Sequence, residues 1–293
     1  MPYSRLANPS ATIAVLERHG LRTRKALGQH FLIDDNVVGR IVREAGIAPG
    51  ERVLEIGPGV GTLTDALLEA GADVVAVEFD DRLLPVLADL AEERGGLTVV
   101  HADAVSVPVD ALGTGRCAPR ALVANLPYAV AATVVLRFFE EMPSLERAVV
   151  MVQAEVAERM SARPGTKAYG AYTVKLGLYA RAAGRFPVPR SCFLPPPRVD
   201  SSVITLVRHS TAADAVLLAS AARAADAAFS QRRKTLRNSF AAGLGISTTE
   251  ATSLLEAAGI DSGARAETLD VDRFLRLGAV LHEHGSIPNP GER

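Results

Sequence analysis

The period of hydrophobic positions changes several times along this chain. From residue 52 to residue 153, short unbroken apolar runs alternate with stretches whose apolar positions recur at helical spacing. The unbroken runs are Arg52–Ile56, Asp73–Phe79, Leu97–His101, Ala121–Ala124 and Ala148–Gln153; each predicts a strand, and Asp73–Phe79 and Ala148–Gln153 read as buried ones. Between them Leu63–Ala70, Asp81–Arg94 and Ala131–Glu141 predict helices. Strands that are apolar throughout and spaced by helices predict a parallel sheet covered on both faces. The fold class that follows is α/β, doubly wound and Rossmann-like.

Two further helices are expected upstream, over residues 8–20 and from Asp35 to Ala45, with Gly46–Gly50 as a breaker. Near residue 186 the chain becomes proline-rich, and Val203–Val207 reads as a last strand. Beyond Arg208 only helical periodicity remains, over 212–229, 231–242, 249–258 and 270–284. This places a catalytic domain at residues 1–208, opening with a basic segment 1–34, and a small all-helical domain at 209–293.

Composition narrows the class. Hydrophobic residues make up 48% of the 293, yet charged residues at 22% interrupt every apolar run, so no membrane span is expected. The start MPYSRLANPS lacks the pattern of a secretory signal. Two cysteines, Cys117 and Cys192, make no disulfide framework, and a reducing cytoplasm is expected. Net charge is −1, but it is unevenly spread. Arg5, Arg18, Arg22, Arg24 and Lys25 face Glu17 alone in the first thirty residues, and Arg232, Arg233, Lys234 and Arg237 form a second basic run. Either run alone is compatible with a solvated face; two together suit a polyanionic partner.

Three features sit at successive strand ends. Glu55-Ile56-Gly57-Pro58-Gly59-Val60-Gly61 joins a strand to a helix, and Gly57 and Gly59 let backbone approach a ligand closely. Alone, such a turn is also an ordinary connection. The nicotinamide-enzyme fingerprint needs a third glycine where this chain has Thr62. Glu78 closes the next strand, where a carboxylate can accept both ribose hydroxyls. Asp103 follows the third strand, placed to accept from an adenine amino group. The set fits S-adenosyl-L-methionine.

Asn125-Leu126-Pro127-Tyr128 follows the fourth strand. The N6 lone pair of adenine is delocalised into the ring. An amide oxygen from Asn125 and a backbone carbonyl presented by the loop that Pro127 stiffens can hold both N–H groups and favour a pyramidal nitrogen. Tyr128 offers a flat face to an extruded base. The amine is neutral, so catalysis by positioning and electrostatics is expected. The scattered histidines lack zinc-type spacing, so no metal is expected. Ser191 and Cys192 have no neighbouring base that would make either a nucleophile.

Taken in order, GQHFL, EIGPGVG, VEFD, HAD, NLPY, FLPPPRVDSS and FSQRRKTLRN resemble the ribosomal RNA adenine dimethyltransferase family, and within it the members acting on 16S rRNA, over about residues 22–240. The resemblance implies S-adenosylmethionine contacts at Gly57, Glu78, Asp103 and Asn125, and from the GQHFL segment at His30 and Leu32. His30 and Ala129 stand where the family often has asparagine. It implies a target adenine held between Tyr128 and Phe193; without the resemblance Phe193 reads as core. It further implies dimethylation of two adjacent adenosines in the 3′-terminal hairpin of 16S rRNA, in the small (30S) subunit or its precursor, by a monomer. Arg22, Arg24 and Lys25, with Arg232, Arg233, Lys234 and Arg237 on a predicted helix, then meet rRNA phosphates. A large-subunit target and a non-enzymatic assembly role stay open as alternatives.

Overall fold

The computed structural model describes residues 2–21, 29–210 and 214–285. The chain divides into two compact units, one of Met1–Ala157 with Ala182–Arg208 and the other of Glu158–Arg181 with His209–Arg293. Residues 158–181, expected in the catalytic domain, thus group with the helical one.

The first unit is built on a seven-stranded sheet. Its strands are β2 (Arg52–Ile56), β3 (Asp73–Glu78), β4 (Leu97–His101), β5 (Ala121–Asn125), β6 (Arg147–Gln153), β7 (Ala180–Val188) and β9 (Ser201–Arg208), in the order β4-β3-β2-β5-β6-β9-β7. The pairs from β4 through to β6 are parallel, and β9 runs antiparallel to β6. Val53, Leu54, Leu122, Val123, Val149 and Val150 are fully buried, which explains the unbroken apolar runs of the central strands. A separate two-stranded pair joins β1 (Phe31–Leu32) to β8 (Phe193–Leu194).

Helices α1 (Pro9–Arg18), α2 (Asp35–Ala45), α3 (Thr62–Glu69), α4 (Leu84–Arg94) and α5 (Ala131–Glu141) belong to this unit. Local sequence sets their ends. Asp34 caps α2 by accepting from the amides of Asn36 and Val37, and Gly46 stops it at φ 56°. Asn8 caps α1 by accepting from Ala11 N–H. The segment ahead of α1 is strapped down by two carboxylates, one of them buried. Asp35 accepts the amides of Tyr3 and Ser4, and Asp65, with no side-chain exposure, accepts Arg5 N–H at 2.8 Å and Arg94 Nε at 2.8 Å. Arg5, counted above as free basic charge, is therefore paired with Asp65 and Glu93.

Chain order reverses between β2 and β5. After β2 the chain moves outward through β3 and β4, then returns to the other flank of β2 as β5. The carboxyl ends of strands on either side of such a reversal diverge and leave a crevice.

The second unit includes α7 (Ala171–Gly177), α8 (Ala215–Ala228), α9 (Leu236–Leu244), α10 (Thr248–Ala257) and α11 (Val271–Glu283) around Val174, Leu236, Phe240, Leu254, Phe274 and Leu277. The alanines of α8 serve close approach. A Cβ on Gly243 of α9 would lie 2.4 Å from Ala227, and one on Gly278 of α11 2.6 Å from the Ala221 backbone. The helix expected over 231–242 starts only at Leu236, because Arg232–Lys234 form a turn ahead of it. Among the described residues no helix is long and apolar enough to cross a membrane.

Candidate active site

A cavity of about 690 Å³ opens at the carboxyl ends of β2, β3 and β5, where the chain order reverses. Its floor is the glycine loop. Gly57, Gly59 and Gly61 take φ of 67°, 61° and 85°, a region that L side chains avoid. A Cβ on Gly57 would press on Pro127 at 3.2 Å, and one on Gly59 on the Phe31 ring at 3.1 Å. The loop delivers the chain into α3, whose first residue, Thr62, lines the cavity with a buried hydroxyl that has no partner among the described residues.

Glu78 ties this loop to β3. One carboxylate oxygen accepts the amides of Phe79 at 2.9 Å and Asp80 at 2.8 Å, and the other accepts Gly59 N–H at 3.2 Å. Burial pushes its pKa up against those three bonds. Among the described residues the second oxygen holds a single bond, and it can take further donors. Glu55, buried beneath the loop, accepts the Thr64 hydroxyl at 2.7 Å, and burial raises its pKa to about 8. Asp103 lines the cavity with one oxygen committed to Val105 N–H at 2.8 Å. Between Glu78 and Asp80, Phe79 lines the same wall and is 63% exposed.

The opposite wall is made by NLPY and the GQHFL segment. Asn125 Nδ2 donates to the carbonyl of His30 at 3.1 Å, which fixes the amide and, among the described residues, leaves Oδ1 as an open acceptor. Pro127's own carbonyl accepts Val130 N–H at 3.2 Å, closing a turn, whereas Leu126, one residue earlier, lines the cavity with its carbonyl unengaged among the described residues. The Tyr128 hydroxyl meets Ser201 Oγ at 2.6 Å, and burial raises its pKa. The His30 ring stacks against Tyr128 with centroids 5.9 Å apart, and its Nδ1 lies 2.7 Å from the Pro195 carbonyl. Leu32 lines the cavity and is 3% exposed.

His30, Leu32, Gly57, Gly59, Glu78, Asp103, Asn125, Pro127 and Tyr128 therefore meet around one cavity. Phe193 does not join them. In β8 it pairs with Leu32, turns its ring into the core and is 1% exposed, so it offers no face to a base in this structure. That departs from the expected aromatic pair and agrees with the core reading of its sequence. The sequence assigns no role to Thr62, Phe79, Gln153 or the Ser201–Tyr128 bond, although Phe79 lies in VEFD and Ser201 in FLPPPRVDSS.

The basic residues fall elsewhere. Arg22, Arg24 and Lys25 lie outside the described residues. In the helical unit Arg232, Arg233 and Lys234 sit exposed on the turn before α9, and Arg237 is exposed in its first turn. Arg232 donates to the Lys167 carbonyl and approaches Glu267 at 3.7 Å, and Arg265 approaches the same carboxylate at 3.9 Å, which brings Lys167 and Arg265 from other loops into the same patch.

The sequence profile of the family described as "Ribosomal RNA adenine dimethylase" matches residues 20–283. The chain belongs to that family. Among relatives of this adenine dimethylase is "Ribosomal RNA small subunit methyltransferase A" of Leifsonia xyli, 48% identical over 94% of this chain and 98% of the relative. A protein of the same description from Enterococcus faecalis is 39% identical over 97% of this chain and 99% of its own length. Among solved structures, a dimethyladenosine transferase from Plasmodium falciparum aligns with TM-score 0.74 at 26% identity, covering 87% of this chain and 98% of its own. The 23S rRNA methyltransferase ErmE aligns with TM-score 0.63 at 26% identity, covering 86% and 99%.

Adenine dimethylases of this family use S-adenosylmethionine. The cavity fits it on its own terms. The orphaned Thr62 hydroxyl needs a polar partner, side-chain atoms at Gly57 and Gly59 would fill the cradle, and Glu78 keeps acceptor capacity beside an exposed aromatic.

Proposed function

We propose that this adenine dimethylase transfers methyl groups from S-adenosylmethionine to the N6 amines of two adjacent adenosines in the 3′-terminal hairpin of 16S rRNA, on the small (30S) subunit or its precursor. The observation that carries the chemistry is the pinned Asn125 amide, whose oxygen is left to accept from an incoming amine. The description of the relatives as small-subunit methyltransferases supports the target.

In this reading Glu78 accepts the ribose hydroxyls and Asp103 the adenine amino group of the cofactor. Gly57 and Gly59 give its backbone-hugging path, Leu32 packs against it, and His30 and Asn125 border its methionine end. When bound, the cofactor supplies an electrophilic methyl on a sulfonium. Asn125 Oδ1 and the free Leu126 carbonyl accept the two amine hydrogens, which draws the nitrogen lone pair out of the ring and toward that methyl. Pro127 keeps the loop stiff. Tyr128, anchored by Ser201, presents the face on which the flipped adenine stacks. With the cofactor bound, the amine held by Asn125 and Leu126 would take that methyl and then give up one proton to water. The patch around Arg232, Arg233, Lys234 and Arg237 meets rRNA phosphates and sets the approach without reading sequence, joined by Arg22, Arg24 and Lys25. The protein acts as a monomer in the cytoplasm.

Incubation with labelled S-adenosylmethionine and separated 30S and 50S particles, followed by mapping of the modified base, tests this reading. Label on paired adenosines of 16S rRNA is expected. Label confined to 50S particles transfers the target to the large subunit. Asn125→Ala is expected to abolish transfer while particle binding persists; unchanged turnover removes Asn125 from the chemistry.

A further inference from the structure

Gln153 stands at the edge of this site. It closes β6, one strand beyond Asn125 and on the side away from β2, β3 and β4, whose ends carry the cofactor carboxylates. It lines the same cavity as Asn125 and Tyr128. It is half-buried, and among the described residues its carboxamide has no hydrogen-bond partner. Its strand partner in register is Ser201, the residue that anchors the Tyr128 hydroxyl at 2.6 Å. An amide donor without a partner among the described residues therefore borders the cavity, in register with the residue that anchors Tyr128.

Adenine presents its amine between two acceptor nitrogens, N1 and N7. Asn125 and Leu126 engage only the amine hydrogens, and the first methylation removes one of them. A donor to a ring nitrogen is indifferent to that loss. We propose that the Gln153 carboxamide donates to a ring nitrogen flanking the target amine and so keeps the base in register through both transfers. The inference rests on the adenine N6 reading above and names a substrate contact within that site.

The test uses 30S particles reconstituted with 16S rRNA carrying 1-deazaadenosine or 7-deazaadenosine at the target, with the full-length protein and its Gln153→Leu and Gln153→Glu variants. Glutamate keeps the shape and removes the amide donor, so it stands in if leucine disturbs the strand end. For the wild type, one of the two analogues is expected to lower kcat/KM by about 5- to 10-fold, the worth of one neutral hydrogen bond. In both variants unmodified RNA already shows that loss, and the same analogue adds less than about 2-fold. The variants also accumulate monomethyladenosine at the expense of the dimethylated product. An analogue penalty of equal size in wild type and variants overturns the proposal, as does an unchanged ratio of mono- to dimethyladenosine. Absence of adenine methylation by the wild type on unmodified RNA defeats the underlying reading instead.

Discussion

Replacing Glu55 by glutamine will flatten the pH dependence of stability. Glu55 is 1% exposed, accepts one hydrogen bond from Thr64 at 2.7 Å and lies near the charge of Glu78. Burial dominates and lifts its pKa from 4.5 to about 8. A carboxyl raised in the folded state leaves stability intact below its unfolded pKa of about 4.5. That stability drains away as pH climbs through the folded value. The gap corresponds to on the order of 5 kcal/mol in full, and to roughly 2–3 kcal/mol between about pH 5.5 and about pH 7.5. Glutamine keeps an acceptor for Thr64 and cannot ionise. Urea unfolding of both proteins at fixed ionic strength, across that pH range, reads the difference directly. The stability advantage of Glu55→Gln over wild type should widen by roughly 2–3 kcal/mol as pH rises. Parallel curves would refute the argument, because they would mean that Glu55 is ionised throughout. Because Glu55 lines the cavity, a cationic ligand there favours its ionised form, so calorimetry in buffers of different ionisation enthalpy should show proton release for wild type only.

Other perturbations are equally direct. Asp65→Ala strands Arg94 and the Arg5 amide and should cost about 3 kcal/mol in chemical unfolding; a loss under about 1 kcal/mol would mean that the strap is held by other contacts. Gly59→Ala forces a left-handed alanine against Phe31 and should lower stability by about 1–2 kcal/mol and cofactor affinity at least about 10-fold by titration calorimetry. Arg233→Ala and Lys234→Ala should each reduce the slope of log affinity against log salt for 30S particles by about one; an unaltered slope removes that residue from the phosphate contacts.

The parts of this fold that the sequence reveals are those whose signal is local. Central strands such as Val53–Leu54 and Val149–Val150 are buried on both faces, so their composition alone marks them. β7 escaped notice because it lies at the sheet edge, with Arg181, Gly184 and Arg185 diluting its apolar character. α7, at 7 residues, is too short to display a period. The β1–β8 pair is two residues long and joins segments far apart in the chain. In the site, Gly57, Glu78, Asp103 and Asn125 were legible because strand ends in this topology converge. The burial of Phe193 follows the core reading of its apolar segment, whereas the bond between Tyr128 and Ser201 joins residues far apart in the chain and depends on tertiary packing. The basic turn was mistaken for helix because Arg and Lys favour helices, whereas Thr235 sits at the true cap.

The helical unit is assembled from two stretches that the chain makes at different times. Residues 158–181 leave the ribosome well before 209–293, yet Tyr169 and Val174 belong to the same apolar cluster as Phe240, Leu255 and Phe274. During synthesis the earlier stretch must wait, its apolar side chains uncovered, until the later helices arrive. The same logic governs truncation. Cutting after Arg208, where strand character ends, would not release a clean sheet domain; it would leave residues 158–181 as a greasy orphan inside it. An excision that removes 158–181 together with 209–293, bridged by a short linker between Ala157 and Ala182, follows the molecule's own division.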